Sequence, residues 1–546
     1  MQAAIPDADM LDRIPLWART VVVVGCGDGA LAAPYRRMNP RARLLGIETD
    51  PDAATLAARH LDEVSTADAS GKELPFDLPD GIDCILYRDI LEHVADPASL
   101  LCRHAAMLGP DGVMLARVAN REHWRTAHRL LLGVPDEAPP GFTQASMRQH
   151  LLAAGLTICD VTPHQPDRDT ARGFVRALAP GLTALGIDPD EYLQRAAPTH
   201  LIWRARKEPR RTVIVSGTML QPVGGVSHVR VVHPLQAIST DPAFQTTVSG
   251  EIVVRPLHDD TPRIFVLHRP ALIGAYGMQM LQSLRAAGYL IITEFDDHPD
   301  HFEAMRRSGH LSFRGVHALQ TSTAAMAEAL WPYNPEIAVF PNALVSLPEV
   351  RNFSGMPVMT LFFGALNRER DWQTLMPAIN AVAAQAGERL QFQVVHDRSF
   401  FDALETPRKA FTPTCDYETY MRLLGSSEIC FMPLSDTPFN RAKSDLKFIE
   451  AAFCRVAPLA STVVYGDSIE DGRTGLLFRD PAEFHARLLR LLAMPELARD
   501  LGDAGRQQVA AHRMLAYQVA PRIAWYRSLW ARREMLDEAL RARIGG

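Results

Sequence analysis

Val21-Val22-Val23-Val24-Gly25-Cys26-Gly27-Asp28-Gly29-Ala30-Leu31 is the most telling stretch of this 546-residue chain. Four consecutive β-branched residues suit a strand buried on both faces, and the alanine and leucine that follow suit a helix start. Three glycines at alternate positions stand between them. Glycine reaches backbone angles closed to other residues and lets a ligand approach the main chain. The segment therefore reads as strand, ligand-facing turn and helix. Outward from it, short strand-like runs at 44–47, 84–87 and 113–118 alternate with Ala/Leu-rich helical stretches. That rhythm predicts βαβ units and a parallel sheet.

A basic, proline-containing seam, Ala205-Arg206-Lys207-Glu208-Pro209-Arg210-Arg211, interrupts the rhythm. It restarts at 212–216 and continues through 263–267, 290–294, 338–340, 360–363, 392–395 and 429–433. A second break at 346–357, punctuated by Pro348, Asn352, Ser354, Gly355 and Pro357, divides the later block in two. The expected organisation is a domain at 1–206, lobes at 207–346 and 347–515, and a helical tail at 516–546.

Composition excludes several classes of function. With 47% hydrophobic and 22% charged residues the chain is an ordinary globular protein. Lys and Arg number 57 against 63 Asp and Glu, a net charge of −6, so no global basic field attracts nucleic acid. The seven cysteines are scattered and form no CxxC pair, which argues against a disulfide framework or a zinc cluster. The opening residues carry acids and no long apolar core, and no stretch approaches the ~18 apolar residues of a membrane span. A cytoplasmic location is the expectation.

The turn has the spacing GxGxG. A dinucleotide pyrophosphate prefers GxGxxG, which sets a helix N-terminus against the phosphates; this form suits a ligand without them. The next strand runs into Glu48, an acid about 20 residues on and placed to accept hydrogen bonds from ribose hydroxyls. Then follow Ala67-Asp68-Ala69, the run Tyr87-Arg88-Asp89-Ile90-Leu91-Glu92-His93-Val94-Ala95-Asp96-Pro97, and Gly141-Phe142-Thr143. Over roughly residues 15–165 this block resembles the class I S-adenosylmethionine-dependent methyltransferases. The resemblance implies that Gly25, Gly27 and Gly29 frame the methionine part of S-adenosyl-L-methionine and Glu48 holds its ribose. It also places Asp68 and Ala69 near the adenine, and Asp89 and Ile90 on the pocket floor. Candidate general bases are His93 and His123, since imidazole titrates near neutrality; a packed residue in an amphipathic helix is the alternative for His93.

In the later block Gly224 and Gly225 form a loop after a strand, where main-chain N–H groups can face an anion or sugar. Asp296 and Asp297 end another strand as catalytic candidates that would bind sugar hydroxyls or a metal, or else cap the next helix. A strand at 338–340 leads into a hinge-like turn. Arg368 and Arg370 offer cationic forks to a diphosphate. Lys443, Lys447 and Glu450 share one face if their segment is a single helix. Across roughly 212–520 these features resemble GT-B glycosyltransferases, close to glycosyltransferase family 4. By that resemblance Glu450 is the second glutamate of an E-x7-E motif and binds the donor nucleotide's ribose. Lys443 or Lys447, with Arg368 or Arg370, neutralises the diphosphate, and Gly224 and Gly225 face the donor across the cleft. The first glutamate is replaced by Ala442; Asn440 or Lys443 compensates, or the donor differs, or catalysis is weakened. No metal is expected.

The expected fold is thus α/β: a Rossmann-like methyltransferase domain followed by a two-lobed GT-B fold. The implied cofactor and co-substrate are S-adenosyl-L-methionine and a nucleotide-sugar, and the implied acceptor is a glycan or lipid-linked saccharide of bacterial surface polysaccharide assembly. The alternatives are a glycosyltransferase with a non-catalytic docking module and a non-enzymatic scaffold. The aromatic, arginine-rich tail either folds back over the lobes or rests peripherally on the inner membrane face.

Overall fold

The computed structural model describes residues 8–68, 74–134, 141–219, 225–254, 260–349 and 358–545. The chain forms two compact units, one of Met1–Thr212 with Ser239–Phe244, the other of Val213–Ile238 with Gln245–Gly546.

The first unit is built on β1 (Thr20–Val24), β2 (Arg43–Ile47), β3 (Glu63–Ser65), β4 (Ile82–Arg88), β5 (Leu108–Ala119), β6 (Thr157–Pro166) and β7 (Pro198–Arg206), ordered β3-β2-β1-β4-β5-β7-β6. The valines of β1 are buried because β1 lies inside a doubly wound sheet, parallel to both β2 and β4. The sheet departs from the parallel expectation at one side. β7 runs antiparallel to β5 and to β6. Ala205 and Arg206, read from sequence as seam, are the buried end of β7. The charges hid this strand: Arg204 pairs with Asp160 of β6 at 2.7 Å, and Arg206 lies 3.6 Å from Asp241. The segment Ser239–Phe244 belongs with this unit, where Thr240 Oγ1 accepts the Leu16 N–H at 2.9 Å and Asp241 accepts the Trp17 indole N–H at 3.1 Å.

The second unit has two sheets. β8 (Val213–Thr218), β9 (Phe244–Ser249), β10 (Arg263–His268), β11 (Leu290–Glu294), β12 (Ala318–Thr321) and β13 (Ile337–Val339) are ordered β13-β12-β11-β10-β8-β9. The other sheet contains β14 (Met359–Gly364), β15 (Leu390–Val395), β16 (Lys409–Thr412), β17 (Ile429–Met432), β18 (Ala457–Ser461) and β19 (Leu476–Phe478). Their order is β16-β15-β14-β17-β18-β19. Relabelled from its own first strand, this is the 3-2-1-4-5-6 arrangement of a Rossmann fold. The fold class is the expected one: a Rossmann-like domain followed by two further Rossmann-like lobes of GT-B type.

Sequence between the lobes is held by one buried guanidinium. Arg230, 1% exposed, donates to both carboxylate oxygens of Glu294 at the end of β11 (2.9 and 3.0 Å) and to the Phe340 carbonyl (2.7 Å) and Asn342 Oδ1 (2.9 Å). Asn342 Nδ2 donates in turn to Ser444 Oγ at 2.8 Å, and Arg513 donates to the Asn342 carbonyl at 3.1 Å and to Asp445 at 2.6 and 2.7 Å. The tail is two helices, Ala516–Ala531 and Arg533–Ile544, packed on the first lobe. Arg522 stands 4.0 Å over the Phe340 ring, Tyr526 donates to Gln320 at 3.0 Å and Arg532 pairs with Glu336 at 2.8 Å. No helix among the described residues is long and apolar enough to cross a membrane.

Removing one partner of a buried ion pair strands the other charge, at a cost of roughly 3–5 kcal/mol. Arg230→Met is therefore expected to shift the urea midpoint of the second unit strongly downward, followed by tryptophan fluorescence. A midpoint equal to wild type would contradict the role given to this guanidinium.

Candidate functional site

In doubly wound sheets ligands bind beyond the carboxyl ends of the strands, where the strand order reverses. In the first unit that crevice lies between β1 and β4, and the predicted residues gather there. Gly25, Gly27 and Gly29 all adopt left-handed angles, with φ of 75°, 56° and 81°. A Cβ on Gly25 would lie 3.0 Å from the Arg88 carbonyl, and one on Gly27 would lie 2.9 Å from Arg88 Nη1. The turn thus requires glycine and leaves bare main chain. Gly25 and Cys26 donate their N–H groups to the Ile47 carbonyl at 2.9 and 3.1 Å, which ties the turn to the tip of β2.

Glu48, half-buried, accepts the Gly27 N–H at 2.7 Å and the Asp50 N–H at 3.1 Å. Asp68 is exposed just beyond β3, and Ala69 lies outside the described residues. Asp89 follows β4 at φ 51° and forms a two-point salt bridge with Arg117, whose Nε donates at 2.8 Å. Behind it Glu92, buried, accepts the Ala119 N–H, and burial raises its pKa.

The two predicted bases differ in setting. His93 is exposed on a single 3₁₀ turn, Leu91–His93, which corrects the expectation of a packed residue in an amphipathic helix. The turn is short because Asp96 caps a new helix, Pro97–Met107, accepting the Ser99 N–H at 3.0 Å. His123 is buried at the start of the helix Trp124–Leu131, its Nε2 without a hydrogen-bond partner among the described residues. Burial, reinforced by Arg125, lowers its pKa and favours the neutral ring.

Sequence reasoning missed a third imidazole. His200 of β7 stands opposite Ala119 of β5 and His164 of β6. The His164 and His200 rings meet edge to face at 6.0 Å, and His164 Nδ1 pairs with Asp9 at 2.5 Å. Burial lowers the His200 pKa while the nearby Asp89 carboxylate opposes the shift. The signal was unreadable until β7 was known to be a strand.

In the second unit the reversal points fall after β8 and β10 in the first lobe and after β14 and β17 in the other. Gly225 begins a short helical turn after β8; Gly224 lies outside the described residues. A Cβ on Gly225 would come within 2.9 Å of the Tyr417 ring of the facing lobe, which His228 also stacks on at 5.3 Å. Tyr417 stacks in turn on Tyr420 at 6.4 Å, and Lys447 Nζ donates to the Tyr420 hydroxyl at 2.7 Å and to Glu450 at 3.4 Å. Glu450 itself is 1% exposed. Burial, then the Glu450 charge, pushes the Tyr417 pKa up.

The single-helix reading of Lys443, Lys447 and Glu450 is corrected. The helix is Leu446–Phe453, and Lys443 sits in the turn before it. Thr437 caps a separate short helix, Pro438–Arg441, and Asp445, held by Arg513, starts the next. Lys443 Nζ reaches across to Asp297 at 2.8 Å and lies 4.2 Å over the Phe439 ring. Asp296 accepts from Arg269 Nε at 2.6 Å; burial raises its pKa, but the guanidinium outweighs burial and brings it to about 2. Neither acid caps the following helix, because His298 does so. Arg368 donates to Asp371 at 3.1 Å and to Asn440 at 2.9 Å, while Arg370 is exposed. Both arginines line a cavity of about 780 Å³ with His298, His301, Phe439 and Asn440. Ala442 lies, 7% exposed, within the apolar cluster that contains Phe295 and Phe313. No group of three or more His, Cys, Asp or Glu among the described residues is arranged to hold a metal ion. Arg269, Tyr417 and Tyr420 were not singled out from sequence, since only the fold brings them to the cleft.

Comparison with known proteins locates both domains. Residues 12–161 match the family described as methyltransferase domain, and residues 376–520 the family described as glycosyl transferase-like. The chain is 32% identical over 111 residues to a ubiquinone biosynthesis O-methyltransferase of Azorhizobium caulinodans, covering 20% of this chain and 43% of that protein. It is 33% identical over 135 residues to a trans-aconitate 2-methyltransferase of Methylobacterium nodulans, covering 24% and 51%. The chain spans about half the length of these curated relatives. Among solved structures, sucrose-phosphate synthase from Thermosynechococcus elongatus is similar at a TM-score of 0.44 and 15% identity, covering 59% of this chain and 100% of that one. The chain thus joins a methyltransferase domain near its amino-terminal end to a glycosyl transferase-like domain toward its carboxyl end.

Proposed function

We propose that the chain is a bifunctional enzyme, an S-adenosylmethionine-dependent methyltransferase and a nucleotide-sugar-dependent glycosyltransferase acting in bacterial surface polysaccharide assembly. The observation that carries the first activity is the bare glycine turn with Glu48 hydrogen-bonded at its centre. Gly25, Gly27 and Gly29 would admit the methionine part of the cofactor, Glu48 its ribose and Asp68 its adenine side. When bound, the sulfonium supplies the methyl group for an in-line displacement, which depends mainly on positioning and desolvation. The chain's own part is to hold the acceptor and take its proton. His123 and His200, both favoured as neutral by burial, suit that task better than exposed His93.

For the second activity the supporting observation is the convergence of Glu450, Lys447 and Tyr420 with Gly225 and Tyr417 of the two lobes. Glu450 would accept from the donor's ribose. Arg368, Arg370, Lys443 and Lys447 would meet the diphosphate, and Asp296 and Asp297 would face the sugars from the first lobe. Lys443 and Arg368 are already matched to Asp297 and Asp371, so donor binding exchanges these partners. The acceptor is a glycan or a lipid-linked saccharide. Residues 1–206, 207–346 and 347–515 serve as the methyltransferase domain and the two glycosyltransferase lobes.

Loss of a hydrogen bond to a charged group costs about 1.5–3 kcal/mol, or roughly 10- to 100-fold in affinity. Titration calorimetry of S-adenosylhomocysteine against Glu48→Ala should show a loss of that size; equal affinity would remove Glu48 from the ribose site. For the second cleft, UDP, GDP, ADP and dTDP are to be tried as probes. The one that raises the melting temperature of wild type should lose that effect in Glu450→Ala. If none of the four stabilises the protein, the nucleotide-sugar reading fails.

A further inference from the structure

The second unit holds a cavity of about 520 Å³ that neither proposed activity uses. Its walls are the carboxyl end of the helix Gly274–Ala286, the residues that open β11, and the tail. Tyr289 and Leu290 line it, whereas Glu294 closes β11 at the cleft end. At about 3.3 Å per residue the strand sets these two places roughly 13 Å apart, on opposite edges of one sheet. The cavity is therefore no extension of the donor cleft.

Three arginines line it: Arg285 of the helix Gly274–Ala286, and Arg533 and Arg541 of the tail helix. Arg533, Asp537 and Arg541 follow one another at i, i+4 and i+8, a spacing that allows both arginines to pair with the aspartate. Neither does. Asp537 Oδ1 is turned to the lobe, 3.2 Å from His317 Nε2 and 3.7 Å from Arg285. His317 Nδ1 accepts the Ile291 N–H at 2.8 Å, which puts the ring's proton on Nε2 and makes Asp537 its acceptor. Burial lowers the His317 pKa, so the donor is a neutral ring. The aspartate is thus spent on the lobe, and Arg533 and Arg541, both exposed, have no carboxylate partner among the described residues. Arg533 stands instead 4.8 Å over the Trp530 ring. Arg285 is under-matched as well. Its approach to Asp537 is longer than a hydrogen bond, and its buried Nε has no partner among the described residues. The other acid of the lining, Glu534, is exposed, where water and salt screen it.

We propose that this cavity binds a phosphate group, free or as the ester of a sugar or nucleoside, between Arg285 of the lobe and Arg533 and Arg541 of the tail. A phosphate monoester spreads up to two charges over three terminal oxygens and can be met by forks from several sides. A carboxylate offers two coplanar oxygens, which one fork already satisfies. The volume is also that of a site for a small organic ligand. Because the arginines belong to two parts of the chain, the bound anion fastens the tail to the lobe. The site stands apart from the nucleotide-sugar reading of the cleft and does not depend on it.

The test uses the full chain in phosphate-free buffer, with titration calorimetry and amide hydrogen exchange of the tail helix. The probes are inorganic phosphate, glucose 6-phosphate and AMP, with glucuronate as the carboxylate control. At least one of the three phosphates should bind saturably and slow exchange over 533–544, and glucuronate should bind at least about tenfold more weakly than that probe. Inorganic phosphate binding as tightly as the esters supports the site with free phosphate as its ligand; a tighter ester supports it with a sugar or nucleoside attached. Arg533→Met and Arg541→Met should each weaken binding by about 10- to 100-fold. Both side chains are exposed, so neither change disturbs packing. Arg499→Met removes the same charge from an exposed position on the other lobe and should leave affinity within about twofold. Glucuronate binding as tightly as the phosphates overturns the proposal, as does the absence of binding by all three. Binding that Arg368→Met abolishes and the two tail variants leave intact belongs to the cleft, and overturns it too.

Discussion

A fully buried guanidinium must find acceptors for its N–H groups, and Arg230 finds them on two segments of chain, the end of β11 and the stretch 340–342. Glu294 fixes the end of β11, the Phe340 carbonyl fixes the strand end that leaves the first lobe, and Asn342 fixes the crossover itself. From Asn342 the network passes to Ser444 and, through Arg513, to Asp445, the residue that starts the helix bearing Lys447 and Glu450. The geometry of the second-lobe helix is thereby referred back to the first lobe's sheet. A buried ion pair is weak support for stability in itself, but it is demanding of geometry. Here that demand places the two sides of the cleft in register. Ala442 is packed, 7% exposed, in the apolar cluster that contains Phe295, and the neighbouring Lys443 finds its carboxylate on the other lobe.

In the first unit the corresponding constraint is conformational. Three glycines at left-handed angles bring the main chain against Arg88 and Ala57, and the Glu48 carboxylate closes the turn from the other side. Close approach follows from the absence of side chains, and the N–H groups of all three glycines are spent on holding the turn itself, to Ile47, Glu48 and Cys26.

Most of the architecture was legible because parallel strands buried on both faces are uninterrupted apolar runs. Thr20–Val24, Leu290–Glu294 and Met359–Gly364 announce themselves in this way. What escaped were strands whose hydrophobic signal is diluted by charge pairs. β6 is an edge strand carrying Asp160 and His164 and β7 carries Arg204 and Arg206, so neither was read as a strand, and the end of β7 was read as a seam. His200 escaped with them. Lys443 was misplaced because the Ser444-Asp445 pair, residue types that favour a helix start, was passed over, and contacts of both with distant sequence hold the break before Leu446. Tyr417 and Tyr420 were invisible for a similar reason: three-residue spacing on a helix marks any packed face. The glycine turn, Glu48 and Glu450 were readable because strand, turn and acid follow one another at a fixed distance along the chain.

The chain passes between the two lobes twice, once through Leu344 and once through Arg513 to Leu515. These passages are hydrogen-bonded to each other, with the Leu344 N–H on the Arg513 carbonyl at 3.0 Å and the Leu515 N–H on the Leu344 carbonyl at 2.8 Å. Two covalent connections laced side by side act as a hinge pin. Sliding one lobe past the other would stretch both, whereas a swing about their common line stretches neither. The paired passages thus mark the line about which one lobe can turn on the other with the least strain on the chain.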